Sequence, residues 1–163
     1  MPNSAKRCSP SSIAPSPNLS RAEQLGRWLP VVAWGGIISV FSTGYFTGES
    51  TGKFILPILG TLFPSATHAE LVAMHYFIRK LAHFTEYLVL SVLLYRALRA
   101  GRRWSLRAAA TAVTVAGLYA VVDEFHQLFV PGRTAAASDC LIDVSGAAAG
   151  QGLLAVLGRV LRT

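Results

Sequence analysis

Asp123 and Glu124 sit side by side at the end of an apolar stretch, Ser105 to Val122, and His126, Gln127, a Pro131-Gly132 turn and Arg133 follow at once. Carboxylates and an imidazole can hold a divalent cation or move protons, and a guanidinium can grip a carboxylate or phosphate with two parallel bonds. Charge at the edge of a membrane segment is costly, so such a cluster marks a working site or a deliberate ion pair. Two more segments carry the same kinds of group. One is RKLAHFTEY, Arg79 to Tyr87. At about 100° per residue, Lys80, His83 and Tyr87 fall within about 60° of one another on a helix, with Glu86 to one side near Arg79. The other begins at Ser138 and carries Asp139, Asp143, Gly146 and Gly150. These four share a helical stripe about 60° wide. The two glycines form a small-xxx-small pair on which another helix can pack closely, which would hold Asp139 and Asp143 at a helix seam and away from lipid.

The residue types assign roles. His83, Asp123, Glu124 and Asp139 are the candidates for proton transfer or cation binding, and Glu86 and Asp143 are further ligand types for a divalent cation. Lys80 and Arg133 suit an anionic group, while Tyr87 and Gln127 can orient it by hydrogen bonds. The His-His and Cys spacings of zinc sites are absent, and Ser138 has no His beside it in sequence. The structural alternative is a polar staple, in which Arg79, Lys80 and Arg133 neutralise acids and lock helices together. The clusters hold five of the eight acidic residues of the chain, Glu86, Asp123, Glu124, Asp139 and Asp143. Three bases against five acids leave a net negative charge unless some acids are protonated, a cation binds, or His83 and His126 are charged. His68 and His75 fall outside the clusters and read as interfacial residues.

The elements that must position these groups read as membrane helices. The chain has 163 residues, 52% of them hydrophobic and 14% charged, with mean hydropathy +0.45. That is too apolar for an ordinary soluble domain. A net charge of +7 and a pI near 10.0 could suggest nucleic acid, but the bases lie between apolar spans, as the positive-inside rule requires. Nucleic acid is therefore not an expected partner. Residues 1–26 are Ser- and Pro-rich and read as a disordered basic tail, without the apolar core of a signal peptide. Spans are expected at Trp28 to Phe46, from Thr67 to Leu98 (apolar from Leu81), at Leu106 to Val122 and at Ala136 to Leu157. Thr67 and Glu70 have the spacing of a capping box. Phe54 to Phe63 is too short to cross a bilayer and would lie in the interface or re-enter. Cys8 and Cys140 fall on opposite sides of the membrane and would not pair. The bases cluster in the tail, at Arg96–Arg107 and at Arg159–Arg162, which predicts an all-α integral membrane protein with four transmembrane helices and both termini cytoplasmic.

The pattern Lys80-x-x-His83-Phe84-x-Glu86-Tyr87, then Asp123-Glu124-x-x-Gln127-x-Phe129-x-Pro131-Gly132-Arg133, then Ser138-Asp139-x-x-x-Asp143-x-x-Gly146-x-x-x-Gly150 resembles the VanZ-like family. These are small bacterial membrane proteins named for a teicoplanin-resistance protein. The likeness runs from about Trp28 to Leu157, so 27–163 is expected to be one VanZ-like four-helix membrane domain. Asp143 departs from the family pattern, which often has Asn there. The resemblance implies a bacterial cell-envelope protein of the inner membrane and brings no reaction with it.

The leading expectation is a polar site at the outer leaflet that binds, and modifies, an anionic lipid headgroup or lipid-linked wall precursor. A non-enzymatic protein that binds membrane or partner, with the polar cluster as a staple, is the alternative. A third class, an ion-coupled carrier, would need a homo-oligomer formed through the Gly146/Gly150 seam.

Overall fold

Five helices account for nearly all of the residues that the computed structural model describes, namely 20–99, 104–133 and 136–160. They are α1 (Arg21–Phe41), α2 (Gly48–Leu62), α3 (His68–Arg99), α4 (Leu106–Gln127) and α5 (Ala137–Val160), with a 3-10 turn, Gly44–Phe46, between the first two. The expectations placed on residues 1–19 and on Arg102, Arg103 and Arg162 lie outside the described residues.

Three of the helices are individually long and apolar enough to cross a membrane: His68–Arg99, Leu106–Gln127 and Ser138–Gly158. The first expected span differs from its reading. Helix α1 begins at Arg21, inside the stretch read as tail, because Ser20 and Glu23 form a capping box that nucleates it. It stops at Phe41, short of Phe46. There the Thr43 hydroxyl donates to the Val40 carbonyl at 2.6 Å, which competes with the helical ladder, and Gly44 follows. The chain then turns by 63°, and Phe54 to Phe63, too short by itself to cross, lies almost wholly within helix α2. Together the bent pair is apolar enough to count as a further, broken span. Thr47 caps α2, its hydroxyl accepting from the Ser50 N–H at 3.1 Å. The capping box at the start of α3 is present, with Thr67 N–H donating to Glu70 Oε2 at 2.7 Å.

The bundle is assembled by small residues. On α4, Ala109, Ala112, Ala116 and Ala120 form a buried stripe, and Ala147 of α5 joins it. The outward face is apolar, with Leu118, Val122, Phe125 and Phe129 all well exposed, as a lipid-facing surface requires. Helices α3 and α5 run parallel and in register: Lys80 meets Asp139, His83 meets Asp143, Leu88 meets Gly150 and Ser91 meets Gln151. Gly146 is the closest point, where a Cβ would stand 2.1 Å from the Phe84 carbonyl oxygen. The glycine seam expected from the sequence therefore exists, but α3 of the same chain fills it. Helix α4 runs antiparallel to α5, with Gly117 against Val144 and Ala120 against Cys140. On α1, Trp34 Nε1 donates to the Glu86 carbonyl at 2.9 Å and Gly35 receives the Tyr119 hydroxyl at 2.8 Å.

Gly146→Ala will force α3 and α5 apart and lower stability by about 1–3 kcal/mol. Gly152→Ala, which meets nothing within 4 Å, will be neutral or slightly stabilising. Thermal melts of both in one detergent check this; equal melting of the two variants counts against the seam.

Candidate functional site

The three polar segments converge at one end of the bundle. Lys80 of α3 forms a short ion pair with Asp139 of α5. His83 Nδ1 lies 3.5 Å from Asp143 Oδ1 across the same seam. Glu124, at the end of α4, accepts the Ala136 N–H at 3.0 Å through Oε2, which ties α4 to the start of α5. Asp123 accepts from Gln127 at 3.1 Å along α4. Asp123, Glu124, Gln127, Asp139 and Asp143 are all buried, and Asp143 is 0% exposed. His83, Glu124 and Asp143 each offer a ligand atom, all within 4.8 Å of one another. Glu86, the other metal candidate read from the sequence, is not part of that trio and lies instead on a neighbouring cavity.

Several candidates sit differently from their expected roles. Tyr87 is fully buried, its ring 6.4 Å from that of Tyr119, and its hydroxyl has no hydrogen-bond partner among the described residues. His126 is exposed and lines, with Asp123, Ser39, Thr43 and Tyr119, a pocket on the side of α4 that faces α1. Arg133 holds no carboxylate in an ion pair among the described residues. Its guanidinium donates to the carbonyl of Phe41, freed where α1 breaks, and to that of Thr43, which also accepts the Phe46 N–H. Unsatisfied carbonyls are costly inside a membrane, and the arginine meets that need. Burial, and then the neighbouring Arg79, lower its pKa from the ordinary value, yet arginine remains charged. Gly132 has φ of +78°, the left-handed turn expected of Pro-Gly.

The sequence reading underweighted Arg79, Thr51 and His75. Arg79, expected beside Glu86, donates instead to the Phe46 carbonyl at 3.3 Å and to the Thr51 hydroxyl at 3.5 Å. Thr51 in turn bonds His75 Nε2 at 3.1 Å, so His75 is a buried tie between α2 and α3. No local spacing signals this network, since its parts come from elements far apart in sequence. Arg79 and Arg133, with Ser42, Glu86, Phe41 and Ile78, line a cavity of about 240 Å³ between the α1–α2 elbow and α3.

Apolar helices turned outward around buried acids and small residues define a polytopic helical membrane protein. Residues 24–158 match the family described as VanZ/LLP1, and the chain belongs to that family. No curated protein and no solved structure matches it.

Arg133→Gln will release the elbow. Spin labels at exposed Lys53 and Leu141 will then give a broader interspin distance distribution than in the wild-type background; an unchanged distribution would show that Arg133 does not hold it.

Proposed function

We propose that this chain is a non-enzymatic cell-envelope membrane protein in which the polar cluster is a structural staple, fixing the shape of a bundle that contacts membrane lipid or a partner. The observation that supports this most is pairing across helices. Lys80 with Asp139, His83 beside Asp143, and Glu124 with the Ala136 N–H join α3, α4 and α5 at one level. Acid–base catalysis needs a group within reach of a substrate atom, and the acids read as catalytic are instead buried. In this reading the bent α1–α2 pair counts as one span, giving four crossings of the inner membrane. Arg27, Arg96 and Arg99 gather around one cavity at the end of the bundle away from the acids. The positive-inside rule then puts that end and both termini in the cytoplasm and the acids at the outer leaflet.

Lys80→Met tests the staple. It leaves Asp139 buried without its partner and will lower stability by about 3 kcal/mol. Adding Asp139→Leu will recover much of that loss, because both partners are then apolar. If Lys80→Met melts at or above the wild-type temperature, the acids are held together under strain, as in a functional site, and the staple reading fails.

The cavity beside Arg79 and Arg133 favours a second reading, in which the protein binds an anionic lipid headgroup. At about 240 Å³ it suits one phosphoryl group better than the larger headgroup of a wall precursor. Native mass spectrometry will then show phosphatidylglycerol retained by the wild type and lost from Arg79→Gln. Equal retention by both counts against a built headgroup site.

A further inference from the structure

We infer that His83, Glu124 and Asp143 bind a first-row divalent cation, Zn²⁺ or Mn²⁺, that ties α3, α4 and α5 together. Proximity alone would not carry this; the state of the ligand atoms does. Both oxygens of Asp143, Oε1 of Glu124 and Nδ1 of His83 are buried without a hydrogen-bond partner among the described residues. Glu124 and Asp143 are each more than nine-tenths buried. Orphaned polar atoms at such depth call for an explanation, and an unseen ion is one of the few available.

The distances fit the same account. The 3.5 Å between His83 Nδ1 and Asp143 Oδ1 is too long for a good hydrogen bond. Two ligand atoms that each sit about 2.1 Å from a tetrahedral ion stand roughly 3.4 Å apart. The widest separation in the trio, at most 4.8 Å, closes with a small rotamer change. Charge points the same way. A neutral imidazole and two carboxylates carry two negative charges, and the nearby Lys80 is already engaged by Asp139. A dication balances them. Even with the Nδ1–H tautomer of His83 donating to Asp143 Oδ1, Asp143 Oδ2 and Glu124 Oε1 would stay unfilled. One nitrogen and two carboxylates suit a borderline ion better than Ca²⁺ or Mg²⁺, which favour all-oxygen cages. The bond from the Ala136 N–H to Glu124 Oε2 fixes that carboxylate with its other oxygen turned to the site, as outer-shell partners of metal ligands do.

The proposal deepens the staple reading and rests on it only for the consequence of binding, not for the site. The full chain is purified in detergent without chelator and its metal measured by mass spectrometry. It is then stripped and titrated with Zn²⁺, Mn²⁺, Mg²⁺ and Ca²⁺ while melting is followed. The expected result is one Zn²⁺ or Mn²⁺ per chain, a lower melting temperature after stripping, and its return with Zn²⁺ or Mn²⁺ but not with Mg²⁺ or Ca²⁺. Affinity in His83→Ala and Glu124→Gln will fall by at least about tenfold. Wild type that carries no stoichiometric metal and does not respond to added Zn²⁺ or Mn²⁺ overturns the site, and needs no variant to fold. Bound metal that is lost from both variants, with melting unmoved by stripping, establishes the site and counts against its role as a staple.

Discussion

The approach of Gly146 to the Phe84 carbonyl governs the rest of the bundle. No side chain fits there, so α3 and α5 lie almost backbone to backbone and in parallel. Contact this close fixes both separation and register. Once it is set, Lys80 and Asp139, His83 and Asp143, and Ser91 and Gln151 face one another at helical intervals along the seam. Helix α4 can then lay its alanine stripe against the pair and bring Glu124 to the same level. The polar cluster follows from packing that is itself apolar.

Association of helices in lipid gains nothing from the hydrophobic effect, so it relies on van der Waals contact and on interhelical polar bonds. This chain uses the two at different depths. Small residues close the seam along Gly146 and Gly150, with Gln151 donating to the Ser91 hydroxyl at 2.7 Å beyond them. The ionisable groups gather where α4 ends and α5 begins, beside the middle of α3. Five acids at that level exceed the bases in direct contact with them, and that imbalance distinguishes this end of the bundle chemically from the arginine-lined one.

Much of this could be read in the sequence, for reasons tied to particular residues. The seam and the inward turn of Asp139 and Asp143 followed from a helical period that the structure keeps. The capping box at Thr67 and Glu70 and the positive φ of Gly132 are local signals, and both are present. The break after Phe41 was not legible. It depends on a threonine hydroxyl competing with the ladder and on carbonyls met by a distant arginine, and hydropathy registers neither. The same limit hid His75 and Thr51, whose contact joins two helices across a turn. Lys80, His83 and Tyr87 share the arc that the helical period gives them, and only the structure shows that arc turned into the bundle. Family membership covers residues 24–158, whereas the pairing of each acid is visible only in three dimensions.

The bonds from Arg133 to the α1 break have a consequence for biogenesis. The Phe41 carbonyl at the break is satisfied by a side chain 92 residues further along the chain. The nascent segment therefore enters the bilayer before its partner has been synthesised. Until Arg133 emerges, the elbow must be sheltered by water, lipid headgroups or the insertion machinery, or else remain straight. Helix α1, made before α2 to α5, is thus among the last to reach its final shape.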